Sequence, residues 1–426
     1  MASPAYVLAG NRIPFARAHG AYVGASNQDM LSAALDGLVA RTGLQGQRVG
    51  SVAAGAVLKH SRDFNLTREV VLGSTLDSAT PAYDVQMACA TGMEAIGSLA
   101  DSIRAGRFDS AIGGGVDSIS DAPITVSDGA RATLLELSRA RTAKDKLKAI
   151  TKLRPRDLAP VAPGTDEPRT GLSMGEHQAI TTLKWGVTRK EQDELALASH
   201  LNLAAAYDEH FFDDLVTGFR GLSRDNNLRA DSTLEKLGKL KPAFGRGLPG
   251  EATMTAGNST PLTDGASVVL LGTDEFAQTN GLTPQAEFVD HELAAVDFVS
   301  GEEGLLMAPA YAVPRLLARN GLALADLDFV EIHEAFAGTV LSTLKAWEDA
   351  DFCRDRLGLD APLGSVDRAK LNVAGSSLAA GHPFAATGGR IVATLAKMLH
   401  QRGSGYGLVS VCAAGGQGVV ALLKAA

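Results

Sequence analysis

The chain has 426 residues, 45% of them hydrophobic and 21% charged, which is ample material for well-filled cores and excludes an intrinsically disordered polymer. Forty Lys and Arg against 48 Asp and Glu leave a formal charge of −8, so no whole-chain positive field exists to hold a nucleic-acid backbone, and no nucleic acid is expected as partner. Three cysteines, Cys89, Cys353 and Cys412, cannot build a disulfide framework, and no CxxC pair suggests zinc or redox work; no metal is expected, and a reducing, cytoplasmic setting fits.

The first twenty residues lack a charged stretch leading into an apolar core, and no apolar run reaches the ~18 residues of a spanning helix, so a soluble chain without a secretory leader is expected. Glycine is over-represented, with 46 positions where an average composition would supply roughly 30. The glycines have no fixed period and cluster at the ends of apolar runs, as in Gly113-Gly114-Gly115 and Gly415-Gly416, which points to close backbone packing and away from collagen or linker sequence.

Taken in chain order, Tyr6-Val7-Leu8 and Val52-Ala53-Ala54 read as short buried strands, and Gln28 to Leu38 and Leu66 to Leu72 carry apolar residues at helical spacing. Strands separated by helices predict a layered α/β fold with parallel sheets covered on both faces, and this length predicts two such units. Cys89 follows in Asp84-Val85-Gln86-Met87-Ala88-Cys89-Ala90-Thr91-Gly92, where an extended segment gives way to a helix carrying Met93, Ile96, Leu99 and Ile103. Unpaired N–H groups at a helix start favour thiolate, so a lowered thiol pKa and attack on carbonyl carbon are expected there; the alternative is a small buried hydrophobe.

Beyond the strand-like Ser110-Ala111-Ile112 the character changes. From Arg131 to Arg156 nine Lys or Arg stand against Glu136 and Asp145, interleaved with Leu134, Leu137, Leu147, Ile150 and Leu153. The pattern predicts a basic amphipathic helix or helix pair at 131–156. It serves either as a solvated face or as a contact for a phosphate-bearing ligand, an acidic partner or, peripherally, an anionic membrane.

Further on, the strand Phe329-Val330-Glu331-Ile332 delivers His333 at its end, where an imidazole suits an oxyanion donor or a structural group. Asn372-Val373-Ala374-Gly375 leads through Ser376 and Ser377 to Gly381-His382-Pro383, a small-residue loop presenting His382 as a base or as a satisfied loop histidine. Cys412 ends the strand Leu408-Val409-Ser410-Val411 and precedes Ala413-Ala414-Gly415-Gly416, a turn able to aim backbone N–H groups inward. A weak internal repeat links the halves, because Ala386-Thr387-Gly388 opens a helix before a strand and a glycine pair, as Ala90-Thr91-Gly92 does. Two similar halves facing each other bring Cys89, Cys412 and His382 to one edge, and two thiols with an imidazole suit two-stage acyl transfer. Cys353 reads as structural.

These segments resemble the thiolases, which are acyl-CoA C-acyltransferases. The resemblance rests on the Cys89 segment, Thr255-Ala256-Gly257-Asn258-Ser259-Thr260 with Asp264-Gly265-Ala266, His333-Glu334-Ala335-Phe336, Gly381-His382-Pro383 and Cys412-Ala413-Ala414-Gly415-Gly416, in family order over nearly the whole chain. It implies an α/β thiolase fold of two βαβαβαββ halves in a five-layered αβαβα core. Residues 1–120, completed by 251–278, would form the first half, 279–426 the second, and 121–250 an inserted loop domain. The resemblance implies Cys89 as the acylated nucleophile, His382 as its activating base, and Cys412 as the proton shuttle at the substrate α-carbon. The backbone N–H groups of Cys89 and Ala414 become oxyanion donors. Coenzyme A and acyl-CoA enter as substrates with no tightly bound cofactor: Arg229 would lie near the nucleotide, Ala256 and Thr260 beside the pantetheine arm, and Met174 and His177 near the acyl tunnel. A homodimer or tetramer is implied as well.

Two features depart from the commoner thiolase pattern: His333 stands where many members carry asparagine, and Ala414 where many carry glycine. With the basic insertion they resemble the β-subunit of the fatty-acid oxidation complex and its free-standing relatives. That implies thiolysis of 3-ketoacyl-CoA in β-oxidation, an α-subunit as partner in the complexed form, and His333 as a direct donor to the enolate. The rival classes are a β-ketoacyl synthase-like condensing enzyme, which would lack a second catalytic cysteine at the position of Cys412, and a non-catalytic thiolase-like acyl-CoA-binding protein.

Overall fold

The computed structural model describes residues 3–426, so Met1 and Ala2 of the expected 1–120 segment lie outside the described residues. The core strands are β1 (Tyr6–Arg12), β2 (Ser51–Ala54), β3 (Ala82–Asp84), β4 (Ser110–Asp117), β5 (Thr263–Gly272), β6 (Ala286–Ala295), β7 (Leu327–Ile332), β8 (Tyr406–Ala413) and β9 (Gln417–Ala425). The helices that bear on the site are α1 (Asn27–Thr42), α2 (Thr91–Arg104), α3 (Asp128–Arg139), α4 (Ala143–Ile150), α5 (Met174–Lys184), α6 (Ala308–Arg319), α7 (Ala337–Glu348) and α8 (Thr387–Arg402).

The strands run in the order β7-β8-β9-β6-β1-β5-β4-β2-β3. In the first half β1 is antiparallel to β5, β5 antiparallel to β4, and β4 parallel to β2. In the second half β6 is antiparallel to β9, β9 antiparallel to β8, and β8 parallel to β7. Order and sense repeat, and the halves join edge to edge where Tyr6 and Val7 pair with Glu287 and Ala286. The sheets are therefore mixed, not parallel as the alternation of strands and helices predicts. The reason is local: a tight turn at 414–416 folds β9 straight back on β8, and a hairpin connection yields an antiparallel pair.

Three apolar cores make five layers. The first packs α1 (Met30, Leu31, Leu35, Leu38) against the outer face of the first half, at Leu8, Val52, Ile112, Val268 and Leu270. The central one places α2 and α8 between the halves, against Val269 and Leu271 on one side and Val409, Val411, Ala421 and Leu423 on the other. The third packs α6 and α7 against Val330, Leu408, Val420 and Leu422. Alternate residues of one strand, such as Leu270 and Leu271, thus serve different cores, as the two-residue period of a strand requires.

The central position explains why residues Thr387 to Ala396 of α8 are all buried, Arg390 and Thr394 among them: packed between the two halves, the helix buries polar residues along with apolar ones. It also explains two glycines. An added Cβ at Gly92 would stand 2.4 Å from the Ala385 carbonyl oxygen, and one at Gly388 2.4 Å from the Met93 nitrogen. The two Ala-Thr-Gly repeats therefore meet start to start across the pseudo-dyad, where a side chain has no room.

Between β4 and β5 the chain leaves the layers. The basic segment forms a helix pair, α3 and α4, whose first turns are capped by the side chains of Ser127 and Thr142. Leu134, Leu135, Leu147, Ile150 and Leu158 of this region are exposed. Further along, Asp225 is buried and meets Arg12 of β1 in a paired contact, Nη1 to Oδ1 at 2.6 Å and Nη2 to Oδ2 at 2.8 Å, with the Tyr207 hydroxyl donating to Oδ2. Among the described residues no helix is long and apolar enough to cross a membrane.

Candidate active site

Cys89 stands just before the N-cap of α2, in a turn held by Thr91. The Thr91 hydroxyl accepts from the Met87 N–H at 2.8 Å and donates to the Ala88 carbonyl at 2.7 Å, and Ala88 sits at φ +45°. A non-glycine residue there costs on the order of 1–3 kcal/mol and persists when its surroundings over-determine it. The turn leaves the Cys89 side chain half-buried at the end of the helix axis. The backbone N–H groups of Ala414 and of Cys89 itself act on its sulfur and favour the thiolate. Burial outweighs them and, with Asp117 and Glu167 nearby, pushes the thiol up to about 12. The thiol lowered by a helix start, as expected from sequence, is thus corrected: desolvation of the charged sulfur exceeds the favourable backbone dipoles.

Cys412 ends β8, opposite Gly418 in the hairpin. It is buried among Ala179, Met254, Phe298, Leu305, Leu306 and Phe336. Burial raises its thiol, and the neighbouring Cys89 raises it further. The two sulfurs, from opposite halves of the chain, are therefore close enough to sense each other's charge.

The parallel pairing of β7 with β8 carries His333 to the same edge, its N–H donating to the Ser410 carbonyl at 2.8 Å. Its ring packs against that of His382 with centroids 4.1 Å apart. His333 Nδ1 lies 2.7 Å from Ser377 Oγ, His382 Nδ1 lies 2.6 Å from Thr387 Oγ1, and the His382 N–H donates to Thr263 Oγ1 at 2.8 Å. Both Nε2 atoms are buried without a partner among the described residues. Burial, aided by the Arg390 charge, brings His382 down to about 3 and His333 well below its ordinary value. Both imidazoles are neutral and each offers one free nitrogen.

Several residues that organise the site were not singled out from sequence. The Asp117 carboxylate accepts from the N–H groups of Val57, Leu58 and Ala385 at 2.8–2.9 Å, which fastens the His382 loop to the first half. Burial raises its pKa to about 7. Glu167 accepts from the Gly415 N–H at 2.9 Å and so holds the turn that carries Ala414. Thr387 does for His382 what Thr91 does for Cys89, and here the repeat offered a usable signal: the same Ala-Thr-Gly places an anchoring hydroxyl at each helix start. Asp117 and Glu167 carried no such mark.

Among the residues expected to meet coenzyme A and the acyl group, Met174 at the start of α5 packs against the cluster that encloses Cys412. The His177 ring stands edge-on to Phe298 of that cluster at 5.4 Å, its Nε2 2.8 Å from Thr170 Oγ1. Thr260 gives both its N–H and its hydroxyl to the Ala335 carbonyl, two residues beyond His333. Ala256 is exposed in the preceding turn, and Arg229 is exposed with its guanidinium donating to the carbonyls of Asn226 and Leu228. A cleft lined by Leu172, Ser173, Glu176, Ile180, Phe244 and Arg246 adjoins the cluster through Phe244.

The family model for the thiolase N-terminal domain matches residues 5–275, and that for the thiolase C-terminal domain matches 282–425. A 3-ketoacyl-CoA thiolase of Pectobacterium atrosepticum is 42% identical over 423 residues, covering 98% of this chain and 95% of its own. One from Yersinia pestis is 40% identical over 424 residues, with 98% and 96% covered. Among solved structures, the Bacillus anthracis acetyl-CoA acetyltransferase superimposes with a TM-score of 0.80 at 29% identity, covering 100% of this chain and 99% of its own. Human mitochondrial 3-ketoacyl-CoA thiolase does so with 0.80 at 26%, again covering 100% and 99%. A two-fold αβαβα core with these relatives defines an acyl-CoA C-acyltransferase. The chain belongs to the thiolase family, and its fold is the thiolase fold.

Proposed function

We propose that this protein is a 3-ketoacyl-CoA thiolase that cleaves its substrate in two half-reactions through Cys89 and runs the Claisen condensation in reverse. The observation that carries the reading is the meeting of two thiols from opposite halves, Cys89 at the Ala414 N–H and Cys412 near enough to sense its charge, beside two neutral imidazoles with free Nε2 atoms. Burial opposes both a free Cys89 thiolate and a free His382 imidazolium, so the proton passes to His382 only as sulfur attacks the 3-keto carbon and the negative charge moves on to the carbonyl oxygen. The N–H groups of Cys89 and Ala414 receive the oxyanion. The C2–C3 bond then breaks, its electron pair becomes the acetyl-CoA enolate, and His333 hydrogen-bonds the enolate oxygen while Cys412 delivers a proton to C2. Cys412 recovers that proton from the incoming CoA thiol, which attacks the acyl-Cys89 thioester. Cys89 leaves and takes back its proton from His382.

Replacing Cys89 by Ser should abolish the stoichiometric burst of acylation by acetyl-CoA, and a retained burst would refute the assignment. The rival condensing enzyme makes a separate demand: malonyl-dependent condensation that survives Cys412→Ala.

Around this centre we place Arg229, Ala256 and Thr260 along coenzyme A and Met174 and His177 at the acyl tunnel, with residues 121–250 as the loop domain bounding it. Three free cysteines support a reducing, cytoplasmic setting. A homodimer or tetramer is the proposed assembly. The exposed leucines and basic charge of α3 and α4 support a contact with an oxidation-complex α-subunit or an anionic membrane. Sedimentation with and without a candidate α-subunit tests the first; an unchanged mass at micromolar concentration counts against it.

A further inference from the structure

A guanidinium donates hydrogen bonds and accepts none. Arg390 lies on the central helix α8, 3% exposed, with Nη2 3.0 Å from the Ser377 hydroxyl oxygen and 3.2 Å from that of Ser376. Ser377 Oγ is therefore an acceptor toward Arg390; a second lone pair remains, but its single buried proton needs an acceptor of its own. The acceptor in reach is His333 Nδ1, at 2.7 Å. A ring nitrogen that accepts carries no proton, and a neutral imidazole then bears its proton on the other nitrogen. That other nitrogen, Nε2, is the buried atom without a partner among the described residues.

We propose that Arg390 is a positioning residue: through Ser377 it locks His333 in the Nε2–H tautomer, so that the site holds a hydrogen-bond donor where the enolate oxygen forms. The inference rests on the role of His333 under Proposed function and deepens it. With the guanidinium in place, accepting from an Nδ1–H as well would fill both Ser377 lone pairs and leave its own buried proton without an acceptor; without the guanidinium that proton can turn into the vacated space, and Nε2 would then turn a lone pair toward a developing negative charge. Arg390 also acts electrostatically on both imidazoles against their protonation, which keeps the donor neutral. Glu334 acts on Arg390 through space. Glu334 is itself held by Ser199, Asn372 and the Leu378 N–H, which leaves Nη2 to the two serines.

The test is a two-bond proton–nitrogen NMR correlation on the full-length protein labelled with nitrogen-15 histidine, His333 being assigned by the signals lost in His333→Asn. The expected spectrum has a pyridine-type Nδ1 and a pyrrole-type Nε2; a protonated Nδ1 with a bare Nε2 overturns the proposal. Ser377→Ala should mix the tautomers and lower kcat for acetoacetyl-CoA thiolysis on the order of 10-fold, less than loss of a whole oxyanion donor, with KM nearly unchanged. Ser377→Thr, which keeps the hydroxyl, should restore both readouts. A Ser377→Ala protein with the wild-type spectrum and kcat overturns the proposal too. Arg390→Lys should retain more of the tautomer preference than Arg390→Gln, and the Ser377 pair with the wild-type spectrum decides the matter if either arginine variant fails to fold. Wild-type protein lacking thiolysis would defeat the functional reading while leaving the tautomer measurement intact.

Discussion

Glu331 shows how strongly single side chains in this molecule depend on burial. It is fully buried on β7, both its oxygens lack a partner among the described residues, and desolvation, with Glu334 adding, raises its pKa to about 8 against the pull of Arg390. The folded protein therefore keeps a proton that the unfolded chain releases from about pH 4.5 upward. Stability should fall as pH rises through the window from about 4.5 to 8, and level off above it. Glu331→Gln removes that titration, so the variant should gain on wild type by on the order of 2 kcal/mol or more between pH 5 and 8. Urea unfolding at both pH values checks this, and parallel behaviour of the two proteins would sink it. At the same scale, Cys89, His333, His382 and Cys412 stood out in the sequence because each occupies a motif. Thr387 was marked only by the Ala-Thr-Gly repeat, and the roles of Ser377 and Arg390 were not marked at all, since one hydroxyl or guanidinium in an Ala/Gly-rich stretch carries no sign of the imidazole it will meet.

Among the elements, the contact between the starts of α2 and α8 matters most to the site. It sets the Cys89 turn against the His382–Ala386 loop, and the absence of a side chain at Gly92 permits it. Gly92→Ala should cost about 1–3 kcal/mol by overpacking. It should also lower kcat at least ~10-fold with little change in KM, because misplacing catalytic groups by an ångström or less is expensive. Steady-state thiolysis kinetics beside thermal unfolding would separate the two effects; a variant that loses stability but keeps kcat would show that the abutment is structural alone. The strands, the helix pair at 131–156 and the Ala-Thr-Gly repeat were legible from periodicity, whereas the antiparallel sense of β5 and β9 was not. Hydrophobic spacing reports which residues are covered and is silent on the direction of the neighbouring strand.

Across the whole molecule, the buried Arg12–Asp225 pair ties the first strand to the long excursion between β4 and β5. Asp225 also accepts from the Phe15 N–H at 2.7 Å, so one carboxylate closes over two segments. Asp225→Asn leaves the Arg12 charge buried and uncompensated, and should destabilise the protein by roughly 3–5 kcal/mol. Denaturant titration measures it; a loss below ~1 kcal/mol would mean that water reaches the guanidinium and that the excursion is held by other contacts.

What the amino-acid order determined alone was the class of architecture, the two-fold repeat and the motif residues, because periodicity and turn chemistry act within a few positions of one another. Tertiary structure decided the rest: the mixed sheets, the elevated Cys89 thiol, the neutral imidazoles and the Arg390–Ser377–His333 chain. Each of those depends on desolvation and on contacts between residues far apart in the chain, and both arise only when the two halves close on each other.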